Sequence, residues 1–154
     1  MSFNTVDGTR GARQPGGRFM RWMNQWMMRR IRRTGKMPLL GFNALVLTTI
    51  GRKSGVERFT PLGWFPGKDG SWLIVASAAG AAKNPDWYHN LGAHPDRAQI
   101  ETAGRKVAVI AEQLHGAERE ETWREIAAAS PQFAKYQQQT DRELPIIRLK
   151  PRSG

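Results

Sequence analysis

Apolar residues along this chain fall in short runs that alternate with polar or glycine-containing turns. Runs of this length, rich in Val, Ile, Leu, Thr and Trp, are typical of β-strands. The pattern predicts strands at Ala44–Ile50, Glu57–Phe65, Trp72–Ala76, Ala98–Thr102, Lys106–Gln113 and Leu144–Leu149. It predicts helices at Asn84–Leu91, with Asn84 as the N-cap and Pro85 in the first turn, and at Glu118–Ala129 and Pro131–Gln139.

The order of these elements favours an α+β fold, a small and mostly antiparallel barrel with helices laid over it. Gly67–Gly70 and Ala103–Gly104 predict tight hairpins between strands. Pro61 interrupts the second strand, which indicates an edge position or a bulge there. No G-x-G-x-x-G motif follows a strand, so the sequence does not support a parallel dinucleotide-binding sheet.

The first 36 residues differ from the rest in charge and in pattern. They carry nine Arg or Lys residues against one acid, a net charge of +8, whereas residues 37–154 carry 15 against 12, a net charge of +3. We predict that residues 1–16 are disordered, that residues 17–36 form a basic amphipathic helix, and that residues 37–154 form the barrel.

The basic helix has three interpretations. It could pack on the domain as an ordinary helix with its arginines in water, or it could lie on an anionic membrane surface with Trp and Met at the headgroup boundary. Contact with nucleic acid is the third, although no recognised nucleic-acid motif accompanies the basic residues. The chain lacks both a run long enough to span a bilayer and an export signal at its start, so we expect a cytoplasmic protein, at most peripheral to the inner membrane face.

Composition excludes several kinds of chemistry. The chain has no cysteine, which excludes disulfides, thiolate nucleophiles and cysteine-bound metals. The histidines at 89, 94 and 115 lack metal-ligand spacing, so no metal site is predicted. No serine lies in a nucleophile elbow. If the protein is an enzyme, a bound cofactor would therefore carry the reaction.

Two loops are the best candidates for binding such a cofactor. Gly51-Arg52-Lys53-Ser54-Gly55 follows the first predicted strand and offers cations, a hydroxyl and close backbone approach to an anion, with Arg58 three residues further on. The second loop runs from Ser77 to Gly80 and leads to a helix start with Lys83 and Asn84. Together the loops suit a planar, phosphorylated ligand.

At these residues the chain resembles the deazaflavin-dependent nitroreductase and quinone reductase family, which uses coenzyme F-420. The resemblance covers roughly residues 36–151 and rests on four separated motifs in order. They are Leu47–Gly55 with Arg58 and Pro61, Val75-Ala76-Ser77, Asn84–Leu91, and Tyr136 with Thr140–Pro145.

The resemblance implies a split β-barrel of the flavin-binding oxidoreductase type, a monomer, and a reductase that transfers hydride from reduced coenzyme F-420 to quinones, activated alkenes such as enones, or related acceptors. It also implies roles for the two loops. The residues expected to bind the cofactor are Arg52, Lys53, Ser54, Gly55, Arg58, Thr60, Pro61, Ala76, Ser77, Ala78, Gly80, Lys83, Trp87, Tyr88 and Asn90. Phe133, Tyr136 and Trp22 are expected at the acceptor, with Tyr136 orienting it or donating a proton.

The chain departs from the family at two places. Relatives that reduce nitroimidazoles carry several tyrosines before the Thr140-Asp141-Arg142 motif, whereas this chain has Ser130, Phe133 and Tyr136 in that segment. Ala78 and Ala79 stand where relatives often have a polar residue and a glycine. Nitro-compound reduction is therefore the weaker expectation. FMN- or haem-dependent chemistry on the same barrel remains an alternative.

Overall fold

The structure is a computed structural model that describes residues 3–11 and 18–152, with side chains described at 3–11, 21–78 and 80–152. Its helices are α1 (Arg18–Thr34), α2 (Asp86–Ala93), α3 (Gly116–Ala129) and α4 (Pro131–Gln139), with a short 3-10 turn at Ala78–Gly80. Its strands are β1 (Ala44–Ile50), β2 (Glu57–Gly63), β3 (Phe65–Pro66), β4 (Trp72–Val75), β5 (Ala98–Thr102), β6 (Arg105–Gln113) and β7 (Ile146–Pro151).

The strands form one curled sheet in the order β2-β1-β5-β6-β7-β4-β3, and every neighbouring pair is antiparallel. The two end strands of this order, β2 and β3, are separated along the chain only by Trp64. A sheet whose opposite ends are joined by one residue has to curl until those ends meet. The predicted antiparallel barrel is therefore confirmed, and so is the end position of the strand that contains Pro61.

The strand β1 is buried on both faces because α1 and α2 lie on opposite sides of it. Successive side chains of a strand point to opposite faces, so Leu45 and Leu47 join the barrel interior with Trp87 and Leu91 of α2. Val46 instead packs against Ile31 of α1. A further cluster joins β4 and β7 to Ile126 of α3. The β1–β2 turn thus follows a strand that is buried on both faces.

The helix α1 lies within the segment predicted to be a basic helix, and it packs on the barrel. Ile31 is fully buried against β1, and the Arg32 Nε atom lies 3.3 Å from Glu101 Oε2 on β5. Gly35, with a φ of 73°, ends the helix and donates its N–H to the Ile31 carbonyl at 2.8 Å. This packing matches the first interpretation of the helix. In the part of the chain that the structure describes, no helix is long and apolar enough to cross a bilayer.

Residues 3–11, here called the N-terminal segment, do not match the prediction of disorder. Thr5 donates its N–H to the Tyr88 hydroxyl at 3.0 Å, and its own hydroxyl accepts from Gln113 at 2.7 Å. Asp7 Oδ1 accepts the N–H of Asn84 at 2.9 Å. The polar composition that suggested disorder supplies these contacts to the barrel. Residues 12–17, where the prediction also applied, lie outside the described residues.

Several predicted boundaries were wrong, and three of them are informative. The strand expected over Glu57–Phe65 is interrupted at Trp64, where the sheet closes. The final strand begins at Ile146 and not at Leu144, because Pro145 has no N–H to donate to a neighbouring strand. Pro85, and not Asn84, is the N-cap of α2. The Asn84 side chain is buried and bonded to Thr5, Asp7 and Arg142.

Acidification is expected to release the N-terminal segment. The Thr9 hydroxyl and the N–H groups of Thr9 and Arg10 donate to the Asp141 carboxylate, which lowers its pKa from 3.8 to about 2. Because the pKa is lower with the segment bound, binding is favoured above about pH 4 and is lost as the pH falls towards 2. The measurement is an NMR titration of Asp141 together with amide exchange at Thr9 and Arg10. An Asp141 midpoint near 3.8 with unchanged amide protection would contradict the contact.

Candidate functional site

The loop between β1 and β2 is a compact turn whose glycines are needed where they stand. Gly51 donates its N–H to the Val56 carbonyl, and Gly55 donates to the Gly51 carbonyl, both at 2.8 Å. A Cβ atom on Gly51 would lie 2.6 Å from Ser54 Oγ, and Gly55 has a φ of 72°. The tightness of the turn leaves the side chains of Arg52 and Lys53 exposed.

Asn90 of α2 fixes this turn to the barrel. Its Oδ1 atom accepts the Arg52 N–H at 3.1 Å and lies 3.4 Å from Arg52 Nη1. Its Nδ2 atom donates to the Thr49 hydroxyl at 3.3 Å. Asp86, at the start of α2, lies 3.8 Å from Arg52 Nη1. Asn90 is buried, so its contribution is to hold the turn and helix α2 in a fixed relation.

A cleft of about 540 Å³ lies between this turn and α2, and we call it the basic cleft. It is lined by Gly51, Arg52, Lys53, Ser54, Arg58, Thr60, Asp86, Trp87 and Asn90. Of its three cations, Lys53 and Arg58 form no ion pair within residues 3–11 and 18–152. With a single carboxylate among these groups, the cleft has a net positive charge that suits an anionic ligand.

A second cavity, of about 560 Å³, has a different chemistry, and we call it the aromatic cavity. It is lined by Leu40, Phe42, Gly63, Trp64, Phe65, Ala129, Ser130, Gln132, Phe133 and Tyr136. The Phe133 ring meets Phe65 and Tyr136 edge-on, with ring centroids 5.6 and 5.7 Å apart. Aromatic walls of this kind suit a flat apolar ligand.

Strand β2 connects the two spaces. Thr60 lines the basic cleft and Gly63 lines the aromatic cavity, which at the usual rise of a strand places them about 10 Å apart. The 3-10 turn also approaches the cavity, because a Cβ atom on Gly80 would lie 2.9 Å from the Tyr136 carbonyl oxygen. The two spaces therefore have walls on the same strand, about 10 Å apart along it.

The structure brings together about half of the residues predicted for the site. The basic cleft contains Arg52, Lys53, Ser54, Arg58, Thr60, Trp87 and Asn90, and the aromatic cavity contains Phe133 and Tyr136. The other predicted residues line neither space, and they are Gly55, Pro61, Ala76, Ser77, Ala78, Gly80, Lys83, Tyr88 and Trp22.

Three of these differences have clear physical reasons. The Tyr88 hydroxyl donates to Gln113 at 2.6 Å inside the barrel, so this side chain is a core residue. Ala76 is buried, and its carbonyl accepts from the Arg142 guanidinium at 2.8 Å. Trp22 is on α1, which lines neither space, and 63% of the residue surface is exposed.

Sequence reasoning missed other residues of the site. Asp86 was passed over because it follows a proline and resembles an ordinary first-turn acid. Leu40 and Phe42 lie in the loop before β1 and are 71% and 47% exposed, and the sequence does not distinguish such exposed apolar residues from core residues. Trp64 and Phe65 were assigned to a continuous strand. The interruption that turns them towards the cavity follows from sheet closure, which has no local sequence signal.

Solved structures and sequence relatives define the class of this protein. A structure described as an F420-H2 dependent reductase (FDR-A) shares 34% sequence identity, with a TM-score of 0.61, over 70% of this chain and 93% of that one. Another, described as a domain-swapped dimer, gives a TM-score of 0.62 at 34% identity over 70% and 79% of the two chains. The curled sheet with these helices is thus the split barrel of F-420-dependent reductases.

The family assignment follows from sequence. The family described as F420H(2)-dependent quinone reductase matches residues 20–151 of this chain. F420H(2)-dependent quinone reductase Rv1261c of Mycobacterium tuberculosis strain H37Rv is 34% identical over 110 residues, covering 69% of this chain and 72% of the relative. The chain belongs to the F420H(2)-dependent quinone reductase family. This confirms the resemblance found in the sequence and the split-barrel fold. It also confirms the cofactor, which the family name gives as coenzyme F-420.

Proposed function

We propose that this protein binds reduced coenzyme F-420 in the basic cleft and reduces a quinone held in the aromatic cavity. The observation that carries the proposal is the placement of an unneutralised cationic cleft and an aromatic cavity along one strand, β2. A cofactor with an anionic tail and a planar ring fits the first space and reaches towards the second. Membership of a family of F-420-dependent quinone reductases supports the same assignment and disfavours the FMN and haem alternatives.

The basic cleft has suitable donors for the anionic part of the cofactor. Arg52, Lys53 and Arg58 would bind phosphate or carboxylate oxygens, and an arginine can do so through two parallel hydrogen bonds. Ser54 Oγ accepts the Val56 N–H at 3.2 Å, which leaves the hydroxyl hydrogen available to an anion. Trp87 and Thr60 would border the part of the ligand nearest the aromatic cavity.

When bound, reduced coenzyme F-420 supplies a hydride. The aromatic cavity would hold the quinone flat against Phe133 and Trp64, away from water. Negative charge accumulates on a quinone oxygen as the ring is reduced, and a positioned hydroxyl stabilises such charge. Tyr136 would donate a hydrogen bond, and then a proton, to that oxygen. Because Tyr136 is only partly buried, solvent can restore its proton.

The same arrangement suits other acceptors that develop charge on oxygen. Conjugated enones share the carbonyl group of a quinone and would use the same phenol. Nitro compounds fit less well, because Tyr136 is the only phenol among the residues that line the cavity.

The direct test measures cofactor selectivity first and turnover second. Binding of oxidised coenzyme F-420 is measured by the quenching of its fluorescence as protein is added, with FMN and NADPH titrated in parallel. We expect the protein to bind coenzyme F-420 selectively. Reduced coenzyme F-420 should then be oxidised in the presence of menadione. Binding of FMN with no binding of coenzyme F-420 would overturn the proposed mechanism and leave only the fold.

The mouth of the aromatic cavity has the character of a membrane-contact surface, and this extends the proposal. Leu39 is 99% exposed, next to Leu40 and Phe42 of the cavity lining. Arg30 and Lys36 border the same loop. Exposed apolar side chains ringed by cations suit an anionic bilayer. A lipophilic quinone would then enter the cavity from the lipid side.

Charge placed in this loop is expected to weaken lipid binding. Leu39→Glu with Leu40→Glu removes the two apolar groups and adds repulsion from anionic headgroups. Co-sedimentation with phosphatidylglycerol vesicles should fall about 10-fold or more, since burial of each leucine contributes roughly 1.5–3 kcal/mol. The control is Val6→Glu with Ile110→Glu, two exposed apolar residues elsewhere on the surface. Equal sedimentation of the two variants would remove the membrane proposal.

Lipid binding of this kind would make the protein peripheral at the inner face of the cell membrane. The cytoplasmic location itself stays a prediction from the sequence. The monomeric state also stays a prediction, and a similar solved chain is described as a domain-swapped dimer.

A further inference from the structure

Arg142 is a buried cation whose whole guanidinium is bound to one loop. It follows α4 and is only 2% exposed. A guanidinium has five N–H donors, and here all five meet acceptors in residues 76–84, the loop between β4 and α2. They bind the Ala76 carbonyl at 2.8 Å, the Ser77 carbonyl at 2.9 Å, the Ala81 carbonyl at 3.1 and 3.3 Å, and Asn84 Oδ1 at 2.7 Å.

The 76–84 loop needs such support because its backbone is strained. Ala78 has a φ of 46° and Gly80 has a φ of 80°, and for an alanine the left-handed region is unfavourable by roughly 1–2 kcal/mol. Strained residues of this kind persist where surrounding contacts over-determine them. Arg142 binds four acceptor groups in total, two before and two after Ala78 along the chain. These contacts hold Ala78 in its strained conformation.

The direction of the loop carbonyls also determines the direction in which the loop N–H groups point. In a trans peptide the N–H points away from the C=O of the same unit, and the described residues contain no cis peptide bond. Because the carbonyls of Ala76 and Ser77 point at Arg142, the N–H groups of Ser77 and Ala78 point away from it. These are donors that a heteroaromatic ring edge could use.

The position of the loop gives these donors a role. Gly80 lies against Tyr136 of the aromatic cavity, and the loop leads directly into α2, which carries Trp87 of the basic cleft. The loop therefore contacts α4, whose Tyr136 lines the aromatic cavity, and continues into α2, whose Trp87 lines the basic cleft.

Arg142 also contributes positive charge at this point. Its four acceptors are all uncharged, and no carboxylate forms an ion pair with it in the described parts of the chain. Burial lowers the pKa of Arg142, and the Asp7 carboxylate, reached through Asn84, raises it. Because an arginine side chain is not deprotonated in proteins, it remains a cation here, with the Asp7 carboxylate as a distant counter-charge.

We propose that Arg142 is a positioning residue for the cofactor ring. It holds the 76–84 loop in its strained conformation. The N–H groups of Ser77 and Ala78 then donate to the deazaflavin of coenzyme F-420, with the positive charge of Arg142 close by. The inference rests on the proposed function for the identity of the ligand. The hold on the loop follows from the contacts alone.

The test is Arg142→Lys, which keeps the charge but cannot supply a five-donor fork. We expect affinity for oxidised coenzyme F-420 to fall at least 10-fold, and amide hydrogen exchange in residues 77–84 of the cofactor-free protein to accelerate at least 10-fold. The matched control is Arg119→Lys. Arg119 is also buried, but it binds the Leu144 carbonyl at 2.7 Å and covers the Trp123 ring, away from the loop.

The control separates positioning from simple loss of stability. Arg119→Lys is expected to lower the melting temperature with no change in coenzyme F-420 affinity or in exchange of the 77–84 amides. Wild-type affinity and wild-type exchange in Arg142→Lys would overturn the proposal, as would equal loss of affinity in the two variants. Failure of the wild-type protein to bind coenzyme F-420 would instead overturn the proposed function, while accelerated exchange confined to 77–84 would still support the hold on the loop.

Asn84→Ala is a milder second variant, usable even if Arg142→Lys does not fold. It removes one of the acceptors of Arg142 and leaves the arginine in place. We expect a 3-fold to 10-fold loss of coenzyme F-420 affinity, with faster exchange in the same segment. Unchanged affinity and exchange in this variant would count against the proposal.

Discussion

Reversal of both charges in the Arg52–Lys53 pair is expected to abolish measurable binding of coenzyme F-420. Both side chains line the basic cleft, and each would make charge-assisted hydrogen bonds to the anionic part of the cofactor. Such a bond contributes roughly 1.5–3 kcal/mol. Loss of two bonds corresponds to a weakening of roughly 100-fold to 10,000-fold, and repulsion from the new carboxylates adds to it. The measurement is fluorescence quenching of oxidised coenzyme F-420 by Arg52→Glu with Lys53→Glu.

The chain contains a matched control for this experiment. Gly104-Arg105-Lys106 repeats the order Gly-Arg-Lys at the β5–β6 hairpin, and both of its basic side chains are exposed. Arg105→Glu with Lys106→Glu makes the same change in net charge at a turn that lines neither space, and its affinity should stay within about 2-fold of the wild type. Equal affinities in the two double variants would show that the cofactor does not use the basic cleft.

Removal of the Tyr136 hydroxyl is expected to lower the rate of quinone reduction about 100-fold without weakening cofactor binding. Loss of one donor to a developing oxyanion typically lowers kcat by roughly 100-fold to 1000-fold, and a partly exposed site belongs at the lower end. Tyr136→Phe keeps the ring that meets Phe133 edge-on, so the shape of the cavity is retained. Steady-state kinetics with menadione, with coenzyme F-420 affinity measured separately, give the comparison.

The chain has two tyrosines, and for the other one, Tyr88, we expect a loss of stability and not of turnover. The Tyr88 hydroxyl donates to Gln113 and accepts from the Thr5 N–H inside the barrel. Tyr88→Phe should therefore lower the free energy of unfolding by about 1–3 kcal/mol, because it leaves buried polar groups unpaired, with turnover retained at temperatures where the variant is folded. If Tyr136→Phe turns over quinone at the wild-type rate, the phenol has no part in the reaction.

The fold was predictable from sequence where the signal is local. The β-prone run Ala44–Ile50 was correct at both ends, because nearly all of its residues are β-formers and the strand is buried on both faces. The split between β2 and β3 was not predictable, since Trp64 is as β-prone as its neighbours and only closure of the sheet separates them. The contacts of the N-terminal segment depend on partners more than 70 residues away, which no local pattern indicates.

The site shows the same division. The turn with Arg52, Lys53 and Ser54 was identified because its glycines, cations and hydroxyl are adjacent in sequence. Asn90 was expected to contact the cofactor, yet most of its hydrogen bonding holds Arg52 and Thr49. Arg142 was seen only as part of a family motif. Its five contacts link residues about 60 positions apart, so its role depends on tertiary structure.

The two ligand spaces are encoded by separate stretches of the gene, although they meet at β2. The basic cleft depends on codons for the β1–β2 turn and for α2, whereas much of the aromatic cavity depends on codons 129–136 and 40–42. Under the proposed function, a mutant library confined to the second group would change which acceptor is reduced and leave the reductant unchanged. Duplicated copies of such a gene could diversify in the same way, each keeping one cofactor while acquiring its own oxidant.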